Sequence, residues 1–234
     1  MFKRPHHQRI VRLLELMNAE FLWEAKCYFG GGTAISLLLD EFRESVDIDF
    51  LCSDQEGYRK IRTSLFDHGL NQIFTKKVDM LREVRADREG IRTIFLMDSQ
   101  PIKFEIVREG CIDISGINWP DIPVPCLTKT DLFAEKLLAN ADRFNDKSTM
   151  NRDVIDLVVM EKHWGAIPLE SWHKAFSAYG DSVHEAFRKA KKMLGDDPKY
   201  LADCLIKMGI DENTGHHLRQ SFMPECKKSC EPKF

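Results

Sequence analysis

Three consecutive glycines at positions 30–32 constrain this chain more than any other feature. They follow the short apolar run Cys27-Tyr28-Phe29. An apolar run cut off by glycine reads as a buried strand entering a tight turn, because glycine adopts left-handed backbone without steric cost. Thr33 is placed to cap a helix running to about residue 39. Residues 46–52 then alternate, with Asp47 and Asp49 on one side and Val46, Ile48 and Phe50 on the other. A period of two is a strand with one wet and one dry face. The block therefore calls for a sheet that sets a carboxylate pair beside a helix N-terminus.

The rest of the chain surrounds that block with ordinary elements. Residues 8–25 carry Ile10, Leu13, Leu14, Met17, Phe21 and Leu22 at helical spacing, which predicts one amphipathic helix. Residues 54–68 are predicted helical. Residues 80–87, 91–98 and 101–108 are predicted strands, punctuated by Asp87-Arg88-Glu89-Gly90 and Asp98-Ser99-Gln100-Pro101. Pro120, Pro123 and Pro125 then break the chain, which sets an expected domain boundary near residue 126. Beyond it the pattern is helical. Thr128 or Thr130 can cap a helix containing Leu132, Phe133, Lys136, Leu137 and Ala141, and helices near 149–163, 168–179, 182–194 and 198–208 follow. The expected fold is α+β: a mixed β-sheet domain over residues 1–125, then an α-helical C-terminal domain over 126–234.

Composition narrows the classes. Of 234 residues, 43% are hydrophobic and 30% charged, enough for a buried core. A formal net charge of -3 gives no global field that would attract nucleic acid, although a local basic patch is compatible with it. The first residues lack the apolar core of a signal peptide, and no run reaches the ~18 apolar residues of a membrane span. The scattered cysteines at 27, 52, 111, 126, 204, 226 and 230 read as reduced thiols, so a cytoplasmic protein without membrane attachment is expected.

The carboxylates point to metal-assisted phosphate chemistry. Mg2+ takes oxygen ligands, usually one or two carboxylates plus phosphates and water. Two aspartates two apart on a strand share a face, and their repulsion is relieved by a cation between them. Asp47 and Asp49 are therefore the expected ligands for Mg2+, or Mn2+. Glu105, on the same face of its strand as Lys103, is a third candidate ligand or a proton acceptor; its alternative is a surface acid paired with Lys103. Gly31, Gly32 and Thr33 are expected to cradle phosphate, since glycines allow close approach and a helix N-terminus favours negative charge. The alternatives are a solvated acid pair and a glycine turn without a ligand.

Gly-Gly-Thr, a helix, then Arg43-x-Ser45-x-Asp47-Ile48-Asp49-Phe50 resembles the signature of the AbiEii/AbiGii toxin family, within the DNA polymerase beta-like nucleotidyltransferase superfamily. Two later blocks are similar to that family as well: 129–143, its lysine-bearing helix, and Arg152-Asp153-Val154-Ile155-Asp156-Leu157. The similarity spans about residues 28–160. It implies a metal site on a mixed sheet, closed by a helical domain, and in-line attack of an acceptor hydroxyl on the α-phosphate of an NTP. It also implies Ser45 and Asp47 as the core motif, Lys136 as the helix lysine, and Asp153 or Asp156 as the late acid. A toxin role, an RNA acceptor such as tRNA, and a cognate antitoxin follow from the same resemblance. The alternatives are a small-molecule acceptor, as in antibiotic nucleotidyltransferases, and a non-catalytic nucleotide- or partner-binding module.

Physical reading of these positions agrees with nucleotide chemistry. Lys136 is a point charge suited to a triphosphate. Arg143 lies on the same helix face and can reach the same phosphates or pair with Asp142 or Asp146. Asp153 and Asp156 share a face and can orient Lys136, act as a base, or cap and salt-bridge the helix. Three other clusters carry weaker signals. His6-His7 reads as a helix start, and Cys226-x-x-x-Cys230 after His216-His217 lacks regular zinc spacing. Arg188, Lys189, Lys191 and Lys192 read as a solvated face or a local RNA contact.

Overall fold

The acidic strand lies at the centre of the sheet. A computed structural model describes residues 2–223. The seven strands run β1 Cys27–Gly30, β2 Ile48–Cys52, β3 Met80–Ala86, β4 Gly90–Met97, β5 Gln100–Arg108, β6 Gly116–Ile117 and β7 Cys126–Leu127, in the order β3-β4-β5-β2-β1-β7-β6. The sheet is mixed: β2 pairs parallel with β5 and β1 parallel with β7, while the other pairs are antiparallel. Asp49 lies opposite Glu105 and Gly30 opposite Asp49, which brings three segments distant in sequence to one point.

The dry face is an aromatic row. Phe95, Phe104, Phe50 and Phe29 come from the adjacent strands β4, β5, β2 and β1, with successive ring centroids 5.2, 5.8 and 5.6 Å apart. Such pairs each contribute about 0.5–1.5 kcal/mol beyond the area they bury. The row fixes the strand register, because a slip by one residue would turn the phenylalanines into the cleft and the carboxylates into the core.

The helices are α1 Pro5–Glu15, α2 Ala19–Glu24, α3 Gly31–Leu38, α4 Gln55–His68, α5 Lys129–Arg143, α6 Arg152–Trp164, α7 Leu169–Tyr179, α8 Ser182–Asp196, α9 Pro198–Lys207 and α10 Glu212–Phe222. The Thr128 side chain caps α5 by accepting from the Asp131 amide. α5 packs on α6, α7 and α8, and α3 bridges from β1 and β2 to α5 and α6. Buried residues of the sheet and of the later helices form one continuous core. None of the described helices is long and apolar enough to cross a membrane.

Four local expectations change. The helix predicted over 8–25 is broken into α1 and α2, because the chain turns to dock on the segment before β3. Met17 bridges Phe74, the Asn18 amide donates to the Ile73 carbonyl at 2.8 Å, and the Asn18 side chain caps α2. Strand β2 begins at Ile48, the first residue with a partner on β5, so Asp47 precedes the strand and Val46 is 46% exposed, not buried. Thr33 is not a cap; it is the third residue of α3 and fully buried, and Gly30 holds the cap position. The sheet also reaches past the proline-rich stretch, since Cys126 and Leu127 form β7. That strand is too short for periodicity to reveal.

Candidate active site

The glycine turn is shaped by what presses on it. Gly31 has φ +66, and a Cβ there would lie 2.6 Å from Oδ2 of Asp49. A Cβ on Gly32 would collide with the Arg43 guanidinium. An acid and a base thus both approach the backbone at the start of α3, where the first N–H groups lack intrahelical partners and favour anions.

Asp47 is held from behind. The Thr33 hydroxyl lies 2.5 Å from the Asp47 carbonyl and 2.8 Å from the Ser45 hydroxyl. A carbonyl only accepts, so Thr33 donates its proton to Asp47 and Ser45 donates to Thr33. Ser36 donates to the Arg43 carbonyl at 2.6 Å. The Thr33 hydroxyl is thus engaged with the Asp47 loop, so a part for Thr33 in the expected phosphate cradle would fall to its backbone amide.

A cleft of about 430 Å³ opens between the wet face of the sheet and α5. Asp47, Asp49 and Glu105 line it, as do Gly31, Gly32 and Ser45. Facing them from α5 are Lys136 and Arg143, with Arg43, Lys103 and Arg152 also at its walls. Glu105 does not pair with Lys103. Its carboxylate accepts from Nε of Arg92 at 2.5 Å, the residue opposite it on β4. Among the described residues no three His, Cys, Asp or Glu groups are gathered as a ready metal cage.

Beneath the cleft lies a buried ion network. Arg43 donates to both oxygens of Asp156, from Nε at 2.6 Å and Nη2 at 2.8 Å. Lys136 Nζ lies 2.8 Å from Asp156 and 2.8 Å from Asp153. Arg143 grips Asp153 through Nε at 2.6 Å and Nη2 at 2.9 Å. Three cations share two carboxylates, which leaves one positive charge in excess beside the cleft. Both oxygens of Asp153 are engaged, and neither Asp153 nor Asp156 lines the cleft. Of the roles open to Asp153, this geometry matches the orienting of Lys136 and Arg143 and speaks against a base. Arg143 pairs with Asp153, not with Asp142 or Asp146.

The electrostatics separate the acids. Burial pushes the Asp49 carboxyl up to about 6, with repulsion from Asp47 and Glu105 adding to it. Burial would also raise Asp153, but the Lys136 and Arg143 charges override it and hold that carboxyl well below the usual range. Asp156 is depressed against its own burial by Arg43 and Lys136. Glu135, which also lines the cleft, is pushed well up by burial and by its neighbours Glu109 and Asp131.

Val107, Glu109, Glu135 and Ala139 also line the cleft without standing out in the sequence. Lys103, Glu105, Val107 and Glu109 alternate along β5 and its end, and Leu132, Glu135, Lys136, Ala139 and Arg143 form one stripe of α5. Both periods are present in the sequence; what was missing is that these two faces meet. Elsewhere, Lys189 pairs with Glu185 at 2.7 Å and Lys192 pairs with Asp196, so half of the basic cluster is already neutralised on its own helix. His216 and His217 bond to Gln220 and Ser221 within α10, and Cys226 and Cys230 lie outside the described residues.

The fold has a solved counterpart. A candidate nucleotidyltransferase from H. pylori superposes with a TM-score of 0.51 at 16% identity, covering 92% of this chain and 91% of that one. An antigenic nucleotidyltransferase-like protein from Paracoccidioides brasiliensis gives a TM-score of 0.47 at 16% identity, covering 92% and 99%. A search of curated proteins returned no match. The family described as "Nucleotidyl transferase AbiEii toxin, Type IV TA system" matches residues 12–214, most of the chain. The chain therefore belongs to the AbiEii toxin family and is a nucleotidyltransferase.

Proposed function

We propose that the cleft transfers a nucleoside monophosphate from an NTP to a hydroxyl of an RNA acceptor, such as a tRNA end, with Mg2+ or Mn2+ held by Asp47 and Asp49. The observation that carries this reading is the pairing of acids and cations across one cleft. Asp49 stands on the sheet and Asp47 on the loop that leads into it, while Lys136 and Arg143 face them from α5 over the glycine turn. The donor set is all oxygen, which suits a hard divalent ion. Asp49 supplies the fit: burial and two neighbouring carboxylates disfavour its charge, and a bound cation removes that penalty. Glu105 is a further ligand through Oε2, since Arg92 engages Oε1. When bound, the metal neutralises phosphate charge and lowers the pKa of the attacking hydroxyl.

The protein's own groups do the rest. The first-turn amides of α3 at Gly31 and Gly32 receive phosphate oxygens. Lys136, Arg143 and Lys103 neutralise the triphosphate, and the buried carboxylates Asp153 and Asp156 hold the α5 cations in place. A bond forms between the acceptor oxygen and the α-phosphorus as the bond to the bridging oxygen breaks, and pyrophosphate leaves. Residues 1–125 carry the metal, and 126–234 close the nucleotide cleft. A toxin role, a cognate antitoxin and a cytoplasmic setting accompany this reading. The test is incubation with each labelled NTP and a total RNA pool, in Mg2+ and in EDTA, with Asp47→Asn alongside. Label in RNA, lost in EDTA and in the variant, supports the proposal. Label in a small molecule replaces the acceptor, and transfer unaffected by Asp47→Asn overturns the site.

A further inference from the structure

Asp47 sits on a loop, although a metal ligand works only when its geometry is fixed in advance. The stretch between α3 and β2 carries two non-glycine residues in left-handed backbone, Asp40 and Glu41, both at φ 55. Such conformations cost of order 1–3 kcal/mol each and persist where surrounding contacts over-determine them. Downstream, Asp47 is secured by β2. Upstream, the peptide groups next to it are held by the first turn of α1.

Two consecutive histidines make that contact. The Ser45 amide donates to Nε2 of His7 at 3.2 Å, and Nε2 of His6 lies 3.0 Å from the Val46 carbonyl. The backbone settles both tautomers. An amide only donates, so His7 Nε2 is bare and its proton is on Nδ1. A carbonyl only accepts, so His6 carries its proton on Nε2. His7 is fully buried, and its Nδ1 lies 2.9 Å from a Glu41 oxygen, to which it donates. Glu41 in turn accepts from the amides of Lys3 at 2.5 Å and Arg4 at 2.9 Å, closing the start of α1 onto the loop. Both histidines precede residue 12, where the family match begins.

We propose that His7 is a positioning residue for Asp47: neutral, with its proton on Nδ1, it clasps Ser45 and so sets the metal-binding loop, with His6 as a second hold on Val46. The inference rests on the nucleotidyltransferase reading of the cleft. It makes the clasp conditional on pH, because a protonated His7 has no acceptor for Ser45. The charged groups around His7 are Glu41, which favours protonation, and Arg4 and His6, which oppose it. Burial is the largest influence and holds its protonation below the ordinary histidine value, so the clasp is closed at neutral pH and opens on acidification.

The test compares His7→Gln, which keeps a hydrogen-bond acceptor and cannot be protonated, with His7→Leu, which fills the space without one. Hydrogen exchange of the peptide containing residues 44–48 reads the clasp, and NTP transfer reads its effect. The expected results are faster exchange and a transfer rate lowered about 10–100-fold in His7→Leu, the range for a residue that orients a metal ligand, with His7→Gln within about threefold of the parent. His7→Gln should also lose the acid-side slowing that the parent shows. Unchanged exchange in His7→Leu, or altered exchange with full transfer, overturns the proposal. Should His7→Leu fail to fold, the pH comparison decides: coincident acid profiles for the parent and His7→Gln also overturn it. A parent that transfers none of the four NTPs removes the nucleotidyltransferase reading, while the exchange data still judge the clasp.

Discussion

The Asp49 carboxylate occupies the space where a side chain on residue 31 would stand, 2.6 Å from a Cβ built on Gly31. Glycine is needed there twice, for its φ of +66 and for the approach of the acid. Gly31→Ala should therefore lower stability by about 1–3 kcal/mol and reduce transfer at least tenfold, because Asp49 must move. Gly69, with φ +61 and nothing within 4 Å, is the control. Gly69→Ala should lose stability but keep transfer. Thermal unfolding with transfer assays separates the two, and a Gly31→Ala protein with full transfer would show that Asp49 is not fixed by the turn.

The ion network predicts an asymmetry. Asp156 is fully buried between Arg43 and Lys136. Asp156→Ala leaves both cations short of a partner, and the expected cost is about 3–5 kcal/mol. Lys136→Ala leaves Asp153 with Arg143 and Asp156 with Arg43, so it should cost less stability while removing transfer. Urea unfolding of both variants checks the order. Asp153 and Asp156 titrate below their unfolded values, so their contribution is present above about pH 4 and is lost only as pH falls through the depressed folded values.

These residues differ in how far sequence alone exposes them. The glycine turn and Asp49 are legible because backbone chemistry and a period of two are local properties. Lys136, Arg143 and Asp153 are legible as a motif, but their mutual bonds depend on α6 packing against α5. The Arg92–Glu105 pair is invisible without strand register, since Lys103 is the nearer cation in sequence and lines the same cleft. The start of β2 is set by its partner on β5, so alternation alone carried the strand back to Val46. His6-His7 reads as a helix start because nothing local in that dipeptide indicates Glu41 or Ser45.

Asp49 predicts a coupling between protons and metal. Its folded pKa of about 6 is raised above the unfolded value of about 4. Its contribution to the metal-free protein is thus fully present below about pH 4 and lost as pH rises through 6. A bound cation removes that loss at neutral pH but must displace a proton on the acid side. Mn2+ should therefore raise the melting temperature more at about pH 7.5 than at about pH 5.5, and Asp49→Asn should abolish the difference. An equal rise at both pH values in the parent would rule out Asp49 as a ligand.

Glu135 is the clearest uncompensated group in the cleft. Its Oε1 is buried with no hydrogen-bond partner among the described residues. Its neighbour Glu109 is anchored as an acceptor from the amides of Cys111 at 2.5 Å and Ile112 at 3.1 Å. Burial is the first cause that raises Glu135, and the nearby Glu109 charge adds to it. Because its folded pKa lies above the unfolded one, its contribution is present below about pH 4 and is lost as pH rises through the folded value. Glu135→Gln carries no charge at any pH and has nearly the same shape. The variant should gain about 1 kcal/mol over the parent at about pH 8.5, and the gain should shrink toward about pH 4. Urea unfolding at both pH values measures this. A gain that is the same at both, or a loss at the higher pH, would mean that Glu135 is ionised in the folded protein and paired in a way that the cleft does not display.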